Sequence, residues 1–180
     1  MKATLFGVGL VLVVWLAPAQ MKKAPPSPDA TATTSIGGKT IMIKYASPSV
    51  RGRQIFGDGG VVSHDPHYPV WRAGANDATA LHTDAALEIG SLKVPAGDYT
   101  LFVDVADPDH WKFIINKRLG EWGLDYTAPE DLGSVPMKMS KPASTIEMLK
   151  YDLASTGGDK GKLTLSWENH VASVDFKVVK

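Results

Sequence analysis

The sequence predicts an all-β protein, an antiparallel β-sandwich or jelly-roll-like single domain. Apolar residues recur at every second position through most of the 180-residue chain, as they do on strands with one buried face. Turn signals rich in glycine, proline and aspartate separate these runs about every 8–12 residues, and no long segment has the 3.6-residue period of a helix. Because one-sided sheets must cover their apolar faces, two sheets packed face to face are expected.

The N-terminus has the pattern of an export signal. Met1–Lys2 gives a positive start, Ala3–Leu16 is an uncharged apolar run, and Ala17–Ala19 forms a small-x-small cleavage site. The run is short for a membrane-spanning helix, which needs about 20 apolar residues. We therefore expect residues 1–19 to be a signal peptide, and the mature protein to be exported, periplasmic or secreted, with no stable membrane span. An uncleaved N-terminal anchor is the alternative.

The next segment is expected to be a flexible tether. Residues 20–35 contain three prolines and almost no large apolar side chain, so this composition does not favour a packed core. We therefore expect the β-sandwich domain to span residues 36–180.

The first half of this domain reads as short strands joined by tight turns. Leu87–Ile89 and Leu92–Val94 flank Gly90–Ser91, a two-residue loop typical of a β-hairpin. Alternating polarity predicts further strands over Ile41–Tyr45, Val70–Arg72 and Thr79–Thr83.

The second half continues the same pattern around one long connection. Lys117–Gly133 is polar and is expected to hold a helical turn near Pro129–Leu132. Trp111–Asn116 is apolar at adjacent positions, which predicts a strand buried on both faces. Period-two strands are also predicted over Tyr99–Val105, Val135–Met139, Thr145–Leu153, Leu163–Trp167 and Val174–Val178.

Composition excludes several classes of function. The formal net charge is zero, so no global electrostatic attraction favours nucleic acid as a partner. The chain has no cysteine, which excludes disulfides, thiol catalysis and cysteine-ligated zinc.

Arginine, asparagine and tryptophan side chains mark a candidate ligand-binding site. Arg53 and Arg72 offer planar forks for a carboxylate or phosphate, and Asn76 offers both a donor and an acceptor. Trp71 is suited to stacking on a sugar or on a guanidinium. The same residues also fit a buried network in which the arginines satisfy loop carbonyls, and the sequence leaves these two interpretations open.

The sequence predicts no cofactor, and its one candidate for a cofactor site would take a divalent metal. His64 and His67 lie three positions apart in a turn, with Asp65 between them as a ligand or as a partner of a ligand. A catalytic site needs a third protein ligand, for which His82, His110 and His170 are available. The alternative is a solvated polar loop.

Several motifs resemble one known family. The pattern Y-x-x-P-x-x-x-G-R-x-I-F-G spans Tyr45–Gly57, V-W-R-x-G-A-N-x-A-T spans Val70–Thr79, V-P-A-G-x-Y-x-L-F spans Val94–Phe102, and W-x-x-x-I-N-K spans Trp111–Lys117. In these blocks the chain resembles the bacterial family called domain of unknown function 2911 (DUF2911). The resemblance implies an exported, single β-rich domain without an established activity. The segment Asp58–Pro69 departs from the family pattern because it is longer.

Three functional hypotheses follow. The first is a non-enzymatic ligand-binding or interaction module, whose partner is a small polar or anionic ligand or an envelope protein. The second is a metal-dependent hydrolase that activates water with His64, Asp65 and His67. The third is a structural protein of the cell envelope.

Overall fold

Two antiparallel sheets make up the fold. The computed structural model describes residues 26–120 and 122–179. Within them, the strands of the first sheet are β1 (Asp29–Ile36), β2 (Lys39–Ala46), β3 (Val70–Trp71), β4 (Thr79–Thr83), β7 (Gly97–Asp104), β8 (Lys112–Asn116) and β9 (Asp131–Pro136). Their order is β1-β2-β4-β7-β8-β9, and β3 pairs with β7 beside β4.

The strands of the second sheet are β5 (Leu87–Ile89), β6 (Leu92–Val94), β10 (Lys138–Ser140), β11 (Ile146–Gly157), β12 (Lys160–Glu168) and β13 (His170–Val178). Their order is β11-β12-β13-β5-β6, and β10 pairs with β13. Two 3-10 helices, Val61–His64 and Ala128–Glu130, interrupt the loops. None of the described residues forms a helix long and apolar enough to cross a membrane.

The core lies between the two sheets. Alternate side chains of the central strands face inward, for example Leu101 and Val103 from β7 and Leu163 and Leu165 from β12, and all four are buried. This arrangement confirms the predicted all-β antiparallel sandwich.

The long connection before β9 covers the outer face of the first sheet. Phe102 and Ile114 lie on that face and are nevertheless buried. The ring of Tyr126 packs edge-on against Phe102, with 4.8 Å between ring centroids. The prediction that the strand 111–116 is buried on both faces is therefore confirmed for β8. The helical turn expected in this connection is present at Ala128–Glu130.

The predicted tether differs from the structure. Asp29–Ser35 lie in β1, which pairs with β2 along its whole length. Gly37 and Gly38 link the two strands, and their φ values of 59° and 77° suit a hairpin turn that most residues resist. The sequence-based expectation relied on the lack of large apolar residues, whereas threonine favours strands and backbone pairing needs no large side chain. The predicted signal peptide and residues 20–25 lie outside the described residues.

One side of the sandwich is joined by hydrogen bonds between the sheets. After β2 the chain crosses to β11, where the Ser47 hydroxyl donates to the Leu149 carbonyl at 2.6 Å. The amide of Leu149 donates to Pro48, and the amide of Val50 donates to Glu147. This crossing segment leads directly into the loops that form the candidate site.

Candidate functional site

A cavity of about 340 Å³ lies between the end of the sandwich and the segment Asp58–Pro69; we call it the loop pocket. Its polar wall includes Arg53, His64, Asp65 and Arg72. Its apolar wall includes Pro48, Val61, Val62, Pro66, Trp71, Leu124 and Trp167. The sequence presents the arginines and the histidines as two separate candidate sites, and the structure brings members of both sets to one cavity.

Backbone hydrogen bonds hold the Asp58–Pro69 segment against the domain. The amides of Val61 and Val62 donate to the carbonyls of Gln54 and Ile55 at 3.1 and 3.0 Å. Val62 is buried in the core, which anchors the 3-10 helix Val61–His64. The segment is therefore a fixed wall of the loop pocket.

Arg72 is the most unusual polar group in the loop pocket. It directly follows β3, and its side chain is only 20% exposed. Within the described residues, its Nε and Nη1 atoms are buried and find no hydrogen-bond acceptor. Its ion-pair partner among the described residues is Asp65, whose Oδ2 is 3.8 Å from Nη1 and whose side chain is 6% exposed. Burial lowers the pKa of Arg72, and the Asp65 charge partly opposes this shift.

A glycine in the long connection makes room for Arg72. A Cβ atom at Gly123 would lie 2.2 Å from Cδ of Arg72 and 2.4 Å from the carbonyl oxygen of Asn76. The backbone of Gly123 therefore lies directly against the Arg72 side chain, and any other residue at this position would displace it.

Trp71 is a core residue in the structure. It is 3% exposed, and its ring stacks on Trp167 with 5.7 Å between centroids and a 20° tilt. Phe56 packs edge-on against it at 5.4 Å. Because Trp167 covers one face of the Trp71 ring, that face is not available to a sugar. Trp71 instead forms part of the apolar wall of the loop pocket.

Trp167 is a pocket residue that sequence reasoning missed. Period-two spacing on β12 placed it in the core, and it is 3% exposed. Its indole Nε1 is buried and has no hydrogen-bond partner among the described residues. A buried tryptophan usually finds a partner for this N–H. Because Trp167 and Arg72 both line the loop pocket and both have unpartnered nitrogens, we take this cavity as the candidate site. No local sequence pattern carries that signal.

The Arg53 side chain donates hydrogen bonds to carbonyls of its own loop. Its Nε donates to the Val50 carbonyl at 3.1 Å, and its Nη2 donates to the Ser49 carbonyl at 2.7 Å. This matches the structural interpretation that the sequence left open, although the exposed guanidinium still contributes positive charge at the rim of the loop pocket.

Asn76 lies apart from the loop pocket. It adopts a left-handed conformation with φ of 60°, and its carbonyl accepts from the Gly123 amide at 3.2 Å. Its side chain lines a second cavity of about 350 Å³ with Asp29, Lys44 and Asp77. The predicted set of Arg53, Trp71, Arg72 and Asn76 therefore does not form one site.

The histidines of the proposed metal site have separate partners. His64 Nδ1 lies 2.9 Å from the Gly60 carbonyl oxygen, which can only accept, so Nδ1 carries the proton. The His67 ring packs edge-on against Tyr126, and its amide donates to Asp65. Throughout residues 26–120 and 122–179, no three histidine, aspartate or glutamate side chains are grouped as metal ligands.

An aromatic cluster joins the pocket residues Trp71 and Trp167 to a further histidine, His170. Phe56 contacts Trp71, Trp111, Trp167 and His170. The His170 ring stacks on Trp111 at 5.1 Å, and its Nδ1 is 3.3 Å from Oε2 of Glu168. Burial lowers the pKa of His170, and the neighbouring Glu168 opposes this shift.

Comparison with known proteins adds a family. A family model described as "Protein of unknown function (DUF2911)" matches residues 27–176. The chain belongs to the DUF2911 family. Comparisons with curated proteins and with solved structures found no match. The DUF2911 match begins upstream of Ile36, in agreement with the inclusion of β1 in the domain.

Proposed function

We propose that this DUF2911 protein is an exported, non-enzymatic binding module that holds a small anionic ligand in the loop pocket. The observation that carries the proposal is the guanidinium of Arg72, which is largely buried with two nitrogens lacking an acceptor among the described residues. Buried donors without partners are costly, and an anion would satisfy them with charge-assisted hydrogen bonds.

The surrounding residues support the binding of an anion. Two arginines and a single aspartate line the loop pocket, so its wall keeps a positive charge. The Asp58–Pro69 segment and Gly123 fix the position of Arg72 before any ligand arrives. Preorganised donors reduce the cost of ordering on binding.

Calorimetric titration of the protein with simple anions tests this proposal. We expect saturable binding of at least one of acetate, phenylacetate, phosphate and sulfate, and a loss of about tenfold or more in the Arg72→Met variant. Arg53→Gln is the matched control, because its guanidinium already serves loop carbonyls; we expect less than about a threefold change.

Folding must be separated from binding in this test. Arg72→Met leaves the buried Asp65 without its cation, so the double variant Asp65→Asn/Arg72→Met removes both charges and should retain the wild-type circular dichroism spectrum. If the wild type binds no anion, or if Arg72→Met binds as well as the wild type, the proposal is wrong.

The export part of the proposal rests on residues 1–19. Their positive start, apolar run and Ala17–Ala19 site support cleavage after Ala19. Expression of the full chain in a bacterial host followed by N-terminal sequencing is expected to give a chain starting at Gln20. An intact Met1 in the cytoplasmic fraction would contradict this.

A further inference from the structure

The charges in the loop pocket favour a ligand with one negative charge. Arg53 and Arg72 contribute two positive charges and Asp65 one negative charge, which leaves a formal charge of +1 when His64 is neutral. Asp65 is held in place because its Oδ1 accepts the His67 amide at 3.1 Å. A dianion beside Arg72 would meet the fixed Asp65 carboxylate at short range, so its second charge would be opposed.

The rest of the loop pocket is suited to an apolar group. Val61, Val62, Pro66 and Leu124 contribute hydrocarbon surface, and Trp71 and Trp167 contribute ring surface. These walls offer few groups that could replace the hydration shell of an inorganic oxyanion, whereas an organic tail gains from leaving water.

The free donors match the acceptors of a carboxylate. Nε and Nη1 of Arg72 and Nε1 of Trp167 are three buried N–H donors without an acceptor among residues 26–120 and 122–179. Arg72 and Trp167 both line the loop pocket, and the two oxygens of a carboxylate offer about four lone-pair sites for N–H groups. Arginine also matches the planar shape of a carboxylate.

From these observations we infer that the loop pocket binds a small organic monocarboxylate with an apolar tail. The cavity of about 340 Å³ equals about eleven water volumes at ~30 Å³ each, which suits an aromatic or branched aliphatic acid of about ten non-hydrogen atoms. This inference rests on the proposed function, because it specifies the ligand of the same pocket.

A titration series at pH 8 and constant ionic strength tests the ligand class, since imidazole groups are ordinarily neutral there. The probes are phenylacetate, its neutral analogue phenylacetamide, acetate and inorganic phosphate. We expect phenylacetate to bind at least about tenfold tighter than each of the other three. The comparison with phenylacetamide isolates the charge, the comparison with acetate isolates the apolar tail, and phosphate against acetate tests the number of negative charges.

The Asp65→Asn variant tests the charge argument directly. Asparagine keeps the acceptor for the His67 amide and raises the formal charge of the loop pocket from +1 to +2. We expect phosphate to gain more affinity than phenylacetate, so that the ratio between them falls by about threefold or more. An unchanged ratio would contradict the role given to Asp65.

The donor of Trp167 has its own pair of variants. Trp167→Phe removes the N–H and one ring, and Trp111→Phe removes a ring of the same size from the same aromatic cluster. We expect Trp167→Phe to weaken phenylacetate binding by about threefold or more relative to Trp111→Phe.

The outcomes separate the inference from the proposed function. If phosphate binds as tightly as phenylacetate and Arg72→Met removes that binding, the inference is wrong and the anion-binding function stands. If phenylacetamide binds as well as phenylacetate, the inference is wrong, and the proposed function then depends on Arg72-dependent binding of phosphate or acetate. If no probe binds, both are wrong.

Discussion

At the scale of single residues, His82 bridges two carboxylates on the first sheet. Its Nδ1 lies 2.8 Å from Asp98 and its Nε2 lies 3.0 Å from Asp84, while Asp84 also accepts the Thr40 amide at 2.9 Å. The hydrogen bonds to Asp98 and Asp84 raise the pKa of His82. The Thr40 amide, followed by His82, lowers the pKa of Asp84 to about 2. The protonated imidazole can donate to both carboxylates at once.

This bridge predicts a pH-dependent contribution to stability. Because the His82 pKa is raised on folding, its contribution is complete below the ordinary value near 6.5 and is lost as the pH rises through the folded value. The Asp84 contribution is present above the ordinary value of 3.8 and is lost as the pH falls towards about 2. The bridge is therefore strongest between about pH 4 and pH 6.5.

Urea unfolding of His82→Gln at two pH values checks this prediction. We expect the variant to lose more stability relative to the wild type at pH 5.5 than at pH 8.5. His110→Gln is the control for the loss of an exposed imidazole, since His110 contacts the carboxylate of Asp107 within one turn and does not bridge two strands. Equal losses for His82→Gln at both pH values would refute the bridge.

Residue identity predicted part of the candidate site. Arg72, His64 and Asp65 were singled out because arginine, histidine and aspartate commonly bind ligands, and all three line the loop pocket. Trp167 was missed because its importance depends on whether its N–H finds an acceptor. That depends on contacts with distant segments, which local patterns do not encode.

At the scale of elements, β1 shows how pairing overrides composition. Its threonines and alanines looked like a linker, yet all eight residues align with β2. Hydrogen bonds also hold the residues before β1 against the domain. The Pro26 carbonyl accepts from the Arg51 guanidinium, and the Pro28 carbonyl accepts from the Ser47 amide. The predicted hairpin at Gly90–Ser91, in contrast, was correct because turn chemistry is a local signal.

Truncation tests the contribution of β1. A chain starting at Ile36 lacks β1 and leaves the edge of β2 unpaired, so we expect a lower urea midpoint and concentration-dependent association. A chain starting at Pro26 is the control, and we expect it to have the urea midpoint and the oligomeric state of the mature protein. If both chains have the same midpoint and elution volume in gel filtration, β1 does not stabilise the domain.

At the scale of the whole molecule, alternation predicted the sandwich but not its connections. The period of two is visible within most strands, so their type could be anticipated, whereas β1 was not predicted. The assignment of each strand to a sheet, and the crossing of Ser47–Val50 to β11, depend on long-range pairing. The loop pocket draws on positions from Ser27 to Trp167, so its shape could not be derived before the sheets were placed.

Because residues so far apart build the loop pocket, it exists only when both sheets are assembled. Any compound that occupies it is thermodynamically linked to global unfolding, whatever its identity. At a free concentration one hundred times its dissociation constant, such a compound adds about 2.7 kcal/mol to the unfolding free energy. In a domain of this size that amounts to a rise of about 5 to 10 °C in melting temperature. A metabolite library screened by differential scanning fluorimetry, with Arg72→Met as the reference protein, would therefore reveal the physiological ligand from its stabilising effect alone.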